Sequence, residues 1–345
     1  MKKSIFLSVL ALAAVVSCQK SEIVDTKYNE EIGFETYTGR DAQTKATLLY
    51  GATTLPDAIG VYGFYLGTAD TWTTSSKANL WVNQSFAKPT SGAWTTDNKK
   101  YWTNGTDKYT FFAYAPYATN GTLTKGDGSL VAPTTANIAD PELTYTVPTA
   151  LADQVDLIYS KNLNTTWKDK NDTKLVFNHA LSRISVWAKD NHNDFSYKIT
   201  AISLKGNFIG TNNLNLATGE WDTASTSEIT YPFVVNAGSV ATNARASVTG
   251  NDYLMIIPVL VTDAVLSVTY NTTYEDIESA SITKEVKLSQ NFVKGNAYAI
   301  NLEFAPNAAD EITFTVQVDP WATSETFFPE VAKNVEEGTL PTQGN

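Results

Sequence analysis

Cys18 is the one thiol among 345 residues, and it sits in Val15-Val16-Ser17-Cys18-Gln19-Lys20-Ser21-Glu22, directly after an apolar run and directly before a polar one. A single cysteine cannot close an internal disulfide or assemble a cysteine-type metal site, so the chemistry left to it is that of a lone nucleophile. The two histidines, His179 and His192, fit neither a zinc-binding helix motif nor a nucleophile elbow. His179 lies in a strand-like run and His192 in the polar turn KDNHNDF, and both read as structural or solvent-facing. Asp and Glu number 36, but an acid/base pair is defined by separation in space, and no sequence spacing singles one out. No run matches a phosphate-binding glycine loop or an EF-hand. The sequence thus names no catalytic residue, no metal ligand and no cofactor, and the expected protein is not an enzyme.

The context of Cys18 gives the thiol a use. Lys2 and Lys3 form a positive start, Ile5 to Val16 form a mostly apolar run of 12 residues, and Ser17 is a small residue at a cleavage position. Residues 1–17 therefore read as a signal peptide, since 12 residues of helix rise about 18 Å and cannot span a hydrocarbon core of ~30 Å. Val15-Val16-Ser17-Cys18 resembles the bacterial lipobox, which implies acylation of Cys18 after cleavage before it. Two or more acyl chains anchor stably where one binds weakly. Gln19-Lys20-Ser21-Glu22 partly resembles the lysine-plus-acid surface-export signal of Bacteroides-type lipoproteins. Loss of Lys2 and Lys3 with the signal takes the 25 basic residues to 23 against 36 acidic ones, and the net charge from −11 to −13. A surface of that sign repels phosphate backbones, so no nucleic-acid partner is expected.

Trp72, Trp81, Trp94 and Trp102 fall within 31 residues, among Thr-, Ser- and Lys-rich runs. Trp81 lies in an alternating strand and reads as core. Trp72 and Trp94 flank Thr-rich loops and are the candidates for an exposed glycan-stacking surface, with packing inside the fold as the competing explanation. Asn-Gly-Thr at 104–106 and 120–122 reads as turn chemistry. Asp222-Thr223-Ala224 resembles the bacterial Asp-Thr-small O-glycosylation triplet.

The elements that must position these residues are strands. Thr, Val, Tyr, Phe, Trp and Ile are abundant, and Gly and Asn fall between apolar runs. IGVYGFYL (59–66), NLWVNQSF (79–86), KYTFFAYAPY (108–117) and VDLIYS (155–160) form a first group of strand signals. A second group runs from KLVFNHALSRISVWA (174–188) to EITFTVQV (311–318), where Ile312, Phe314, Val316 and Val318 alternate with Thr313, Thr315, Gln317 and Asp319. The polar stretch NLNTTWKDKNDT (162–173) between the groups is the expected domain boundary. Short strands without helical crossovers predict an all-β chain of two tandem antiparallel β-sandwich domains, at 41–168 and 169–322. Ile32 and Phe34 alternate with Glu31, Gly33 and Glu35, so residues 31–38 read as a further strand, stabilised by burial of those two side chains. It lies ahead of Gly39-Arg40-Asp41.

FNHALSRISV (177–186), YTFFAYAPY (109–117), DLIYS (156–160), NFVKGNAYAINLEF (291–304) and ITFTVQVDPW (312–321), in this order behind a lipobox, resemble the fimbrillin-like, or Mfa-like, lipoproteins. The resemblance implies two transthyretin-like β-sandwich domains and a lipid anchor in the outer membrane at the cell surface. It further implies a fimbrial subunit or accessory protein whose partners are other fimbrial subunits and a host or bacterial surface ligand. In fimbrial relatives an arginine-specific protease cuts in the region that Arg40 and Asp41 occupy here, freeing residues 18–40 and opening a groove for another subunit's strand. Arg40 is one of three arginines, with Arg183 and Arg245. The C-terminal residues 323–345 then become the candidate donor strand, with Trp321, Phe327, Val331 and Val335 on one parity. Against a central strand stands Pro329, which has no N–H to donate. A lipid-anchored monomer that binds glycans through Trp72 and Trp94 is the alternative reading, and a surface hydrolase ranks behind both.

Overall fold

The computed structural model describes residues 30–38, 56–68, 71–72, 78–88, 93–123, 130–134, 140–172, 174–191, 194–236, 238–250, 252–304 and 312–321. Among these the chain is built of strands, with no α-helix. The first half holds β1 (Glu35–Thr38), β2 (Ala58–Gly67), β3 (Ala78–Ala87), β4 (Lys108–Ala115), β5 (Thr122–Leu123), β6 (Leu130–Val131), β7 (Glu142–Thr146), β8 (Ile158–Thr165) and β9 (Lys174–His179). There follow β10 (Ser182–Asp190), β11 (Ser196–Phe208), β12 (Thr211–Asn215), β13 (Glu220–Trp221), β14 (Ser227–Phe233) and β15 (Ala246–Ser247). The last are β16 (Leu254–Ile256), β17 (Val259–Tyr274), β18 (Ile277–Glu278), β19 (Ile282–Phe292), β20 (Asn296–Phe304) and β21 (Ile312–Pro320).

A six-stranded sheet in the order β1-β9-β8-β4-β2-β3 is the centre of the first lobe. Its inner strands are covered on both faces, which is why β2 and β4 are written as nearly continuous apolar runs and not as alternating ones. Tyr62, Phe64, Phe112 and Tyr114 point to one face, where a sheet of β13-β12-β7-β6-β5 closes over them with Leu130, Leu143, Tyr145 and Leu214. Ile59, Val61, Phe111, Ala113, Leu175 and Phe177 point to the other, into a second core completed by Ile32, Phe34, Trp94 and Trp102. Asn83 sets the curl of the outer strand. It sits at φ 48° where the β2–β3 register slips between Val61 and Gly63, and its side-chain amide donates to the Ala118 carbonyl at 3.2 Å. Asn tolerates that left-handed backbone better than a branched residue, and a bulge there deepens the twist.

The second lobe packs β15-β10-β20-β21, with β16 also on β10, against β14-β11-β17-β18, with β19 on β17. Ile184, Val186, Ile300 and Leu302 meet Ile202, Leu204, Leu266 and Val268 across the interior. Ile312, Phe314 and Val316 lie against that core, as the period-2 pattern predicts, whereas Val318, on the same parity, is 45% exposed.

Two features of the strand pairing refine the all-β arrangement. The sheets are not purely antiparallel: β1 runs parallel to β9, and β10 runs parallel to β20. In the second case the whole opposing sheet intervenes in the chain, long enough for the crossover a parallel pair requires. Strand pairing also runs across position 168/169. β9 pairs with β8 in the first lobe, and β12 reaches back to pair with β7. The charged stretch at 162–173 holds the end of β8 and a two-turn 3-10 helix (Trp167–Asp172), and it connects the paired strands β8 and β9. The core around Tyr62 is continuous with the core around Ile300, so the lobes share one interior. Fully buried Gln154 joins them: its side chain accepts the Met255 N–H at 2.7 Å and donates to the Pro148 carbonyl at 2.8 Å. Trp221 adds an indole N–H to the Ala180 carbonyl at 2.8 Å.

Candidate functional site

The most unusual element is the first one described. Residues 30–34 lie against the segment 94–102, where Trp102 N–H donates to Glu30 O at 3.0 Å, Ile32 N–H to Lys100 O at 2.8 Å, and Trp94 N–H to Phe34 O at 2.9 Å. At Glu35 the chain changes partner. β1 then runs along the outer edge of β9, with Glu35 opposite Lys174 and Thr38 opposite Phe177. One short segment therefore ties two layers together, and its alternation follows from that double role: Ile32 and Phe34 face inward at 1% and 0% exposure, while Glu30 and Glu31 reach the surface. The Phe34 ring stands edge-on to Phe111, Phe86 and Trp81, at centroid distances of 4.9, 5.3 and 6.1 Å. Around the rim, Glu31 pairs with Lys99 at 2.8 Å, and the Trp167 indole N–H donates to the Glu30 carboxylate at 3.2 Å. Exposed contacts of this kind are weak, so the segment is held chiefly by two apolar knobs in sockets.

The wall that receives it is braced from behind. Asn104 Oδ1 accepts the N–H groups of Thr106 and Asp107 at 2.8 and 2.7 Å, which is the turn chemistry expected of Asn-Gly-Thr at this position. The buried Asp107 carboxylate accepts the Tyr65 hydroxyl at 2.6 Å and the Thr103 hydroxyl at 2.7 Å. Burial pushes the Asp107 carboxyl up, but the hydrogen bonds from Tyr65, Thr103 and Asn104 outweigh it and hold the group below the ordinary aspartate range. The same bond to Asp107, with some burial, raises the Tyr65 phenol. Thr103 N–H in turn donates to the Tyr109 hydroxyl at 3.1 Å, and the Tyr109 ring packs edge-on to Trp102 at 4.8 Å.

Trp94 and Trp72, the two tryptophans for which a glycan platform and packing inside the fold were the competing explanations, both pack against the fold. Trp94 is 2% exposed and pairs with Phe34. Thr95 turns outward, while the Trp94 ring joins the core that Phe34 completes and Thr96 is buried beside it in sequence. Trp72 is half-buried against Phe64 and Phe112, at 4.6 and 5.0 Å, and its indole N–H donates to Asp140 at 3.0 Å. Trp81 is core, as its alternation predicts, with its indole N–H on the Asn98 carbonyl at 2.8 Å. Trp102, Trp167 and Asp107 carry weight that sequence reading did not assign to them. The spacing of Trp94 and Trp102 gives no signal that both face one way, because the chain bends at 97–98 between them.

Cys18, Arg40, Asp41, His192 and residues 323–345 lie outside the described residues. His179 stands at the waist, its Nδ1 2.8 Å from an oxygen of fully buried Asp156 and its ring stacked on Trp321 at 4.2 Å, a structural setting as expected.

A family model described as fimbrillin-like matches residues 44–321. Fimbrium subunit Fim1C of Phocaeicola vulgatus is 27% identical over 191 residues, covering 52% of this chain and 49% of that protein. The match spans about half the length of that curated relative. The crystal structure of a fimbrial protein from Bacteroides vulgatus superposes with a TM-score of 0.63 at 18% identity, over 83% of this chain and 100% of that one. At that identity the likeness is one of fold.

Proposed function

The chain belongs to the fimbrillin-like family, and from that membership we propose that it is a fimbrial subunit or fimbria-associated surface protein that assembles by strand exchange and acts in adhesion. In this reading acylated Cys18 holds the protein to the outer membrane. Cleavage between Arg40 and Asp41 frees the segment that ends at Thr38, and a strand from another fimbrial subunit, of this chain or an accessory one, fills the space. A host or bacterial surface molecule is the ligand of the finished assembly.

The observation that carries the proposal is the construction of residues 30–38. They complete an aromatic core through Ile32 and Phe34, yet they occupy a sheet edge and precede Gly39-Arg40-Asp41 by a single step. Withdrawing such a segment exposes two sockets and a row of unpaired backbone groups on β9, which is what β-strand addition needs. The test is extraction of native surface material. An SDS-resistant ladder whose subunits begin at Asp41 supports assembly, and a lone band that keeps an acylated Cys18 argues for an unassembled, lipid-anchored protein.

A further inference from the structure

Strand β17 outruns the sandwich it belongs to. Leu266, Val268 and Tyr270 face the shared interior, where the rings of Tyr197 and Phe304 meet Tyr270 at 6.0 and 5.1 Å. Tyr274 keeps the same parity, but the opposing strands β10 and β20 stop at Asp190 and Phe304. The Tyr274 ring meets Phe195, just ahead of β11, at 5.0 Å and stays 45% exposed. Ile277 pairs with Tyr274 across the β17–β18 turn, lies on the same face and is 73% exposed, the highest value among the large apolar side chains described. One exposed apolar residue needs no explanation, but three that carry a core stripe past its cover make a patch.

The turn that carries this patch is costly in backbone terms. Glu275 and Asp276 join β17 to β18 at φ 46° and 62°, the left-handed pair that a two-residue hairpin turn requires and that Asn-Gly meets with least strain. Two carboxylates held there put charge at the outermost point of the hairpin, and Asp194, beside Phe195, adds a third exposed one. Residues 190–197 and 271–283 contain no Lys or Arg. Lys198 pairs with Asn271 on the outer face of the strands, where Glu278 also accepts the Asn271 amide at 2.6 Å. The inner face of the tip is thus apolar at its centre and anionic at its rim. That combination complements a cation borne on an apolar chain, since an ammonium or guanidinium gains from an aromatic face and from flanking carboxylates together. It repels phosphate, sulfate and acidic sugars. A neutral sugar stacked on Tyr274 would leave Ile277 uncovered and gain little from the charge.

We propose that the β17–β18 tip, with Phe195, is a docking surface for a cationic, partly apolar polypeptide segment of a partner protein. Apolar side chains of that segment cover Tyr274 and Ile277, and its Lys or Arg groups lie over the Tyr274 ring against Glu275, Asp276 and Asp194. The surface gives the adhesion proposed above a place on the molecule, and it stands apart from strand exchange, because none of these residues belongs to β1 or β9.

The test uses the uncut full chain at neutral pH and the fluorescence anisotropy of a labelled short peptide that alternates Lys with Phe. One counterpart peptide carries Glu in place of Lys and another Ser in place of Phe, and calorimetric titration with maltodextrin supplies a neutral sugar. The Lys-Phe peptide is expected to bind, each counterpart to bind about tenfold more weakly or worse, and the affinity to fall as salt is raised. Glu275→Asn combined with Asp276→Gly is expected to melt at a higher temperature than the parent, because it relieves the turn, and yet to bind about tenfold more weakly. Tyr274→Ser is expected to weaken binding likewise. Asp57→Asn combined with Glu285→Gln makes the same change of charge at exposed positions elsewhere and is expected to leave binding unchanged. Equal weakening by the two charge-changing pairs, or binding indifferent to Tyr274→Ser, shows diffuse attraction to an acidic protein and overturns the proposal. So does no binding of the Lys-Phe peptide, or binding of maltodextrin in its place. Neither cleavage nor residues 30–38 enter the experiment, so its failure leaves the strand-exchange reading standing.

Discussion

Phe34 carries more of the edge segment's attachment than any other side chain, because its ring contributes both buried area and three edge-on aromatic contacts. Fully burying a residue of this type is worth about 1.5–3 kcal/mol, and emptying the socket adds the cavity left among Trp81, Phe86 and Phe111. Phe34→Ala is therefore expected to cost about 3–5 kcal/mol in urea unfolding and to raise amide exchange across 30–38 more than elsewhere. An equal loss of protection throughout the first lobe would mean that the segment is not a separable piece. Asp107 acts behind the wall and leaves a pH signature. Its native carboxyl titrates below its ordinary value of 3.8, so the stability it contributes is fully present above that value and is lost as pH falls through the depressed one. Asp107→Asn should be less stable than the parent at pH 6, and the gap should narrow as pH drops below about 4, measured by thermal melts. A gap that holds constant through that range would show that the charge itself does little.

Among the strands, what could be read in advance is what local pattern encodes. The alternation at Ile32 and Phe34, the continuous apolar runs of β2 and β4, and the period-2 run from Ile312 to Val316 all state how many faces are covered. The burial of Trp94 is not local information. Its cover comes from residues 30–34, some sixty positions away, and Thr-rich flanks look the same whether the ring turns in or out. The assignment of β9 and of the β12–β13 hairpin to the first lobe is hidden for the same reason, since a charged turn between paired strands has the composition of a linker. Gly60 in β2 shows how tightly the elements are fitted. A Cβ there would stand 2.1 Å from Cε1 of Tyr114 on β4, closer than atoms can pack. Gly60→Ala must displace the Tyr114 ring, whose hydroxyl bonds Asn83 and the Ala118 N–H. The expected cost is about 1–3 kcal/mol, read from the urea midpoint, and an unchanged midpoint would mean that the ring moves freely.

At the scale of the molecule, the shared interior decides how the two lobes respond to load and to heat. A pair of sandwiches joined by a linker would unfold in two steps, each lobe with its own midpoint. Here the six-stranded sheet, the bridging β13-β12-β7-β6-β5 sheet and the second sandwich all face one continuous core, and the hairpin that completes the first lobe is spelled out after β10 and β11 of the second. Losing either lobe strips apolar cover from the other, so a single transition with matching calorimetric and van't Hoff enthalpies is expected. Gln154 makes the coupling testable without emptying the core. Removing its amide leaves the Met255 N–H and the Pro148 carbonyl buried without that partner, at about 1–3 kcal/mol for each. Gln154→Ala should therefore lower the midpoint by several degrees, roughly 2–4 °C for each kcal/mol in a lobe of this size, while the endotherm stays single, because the apolar interior remains shared. Two resolved endotherms in the parent protein would overturn the shared-core account. Two in Gln154→Ala alone would locate the coupling in that one side chain instead of in the bridging sheet.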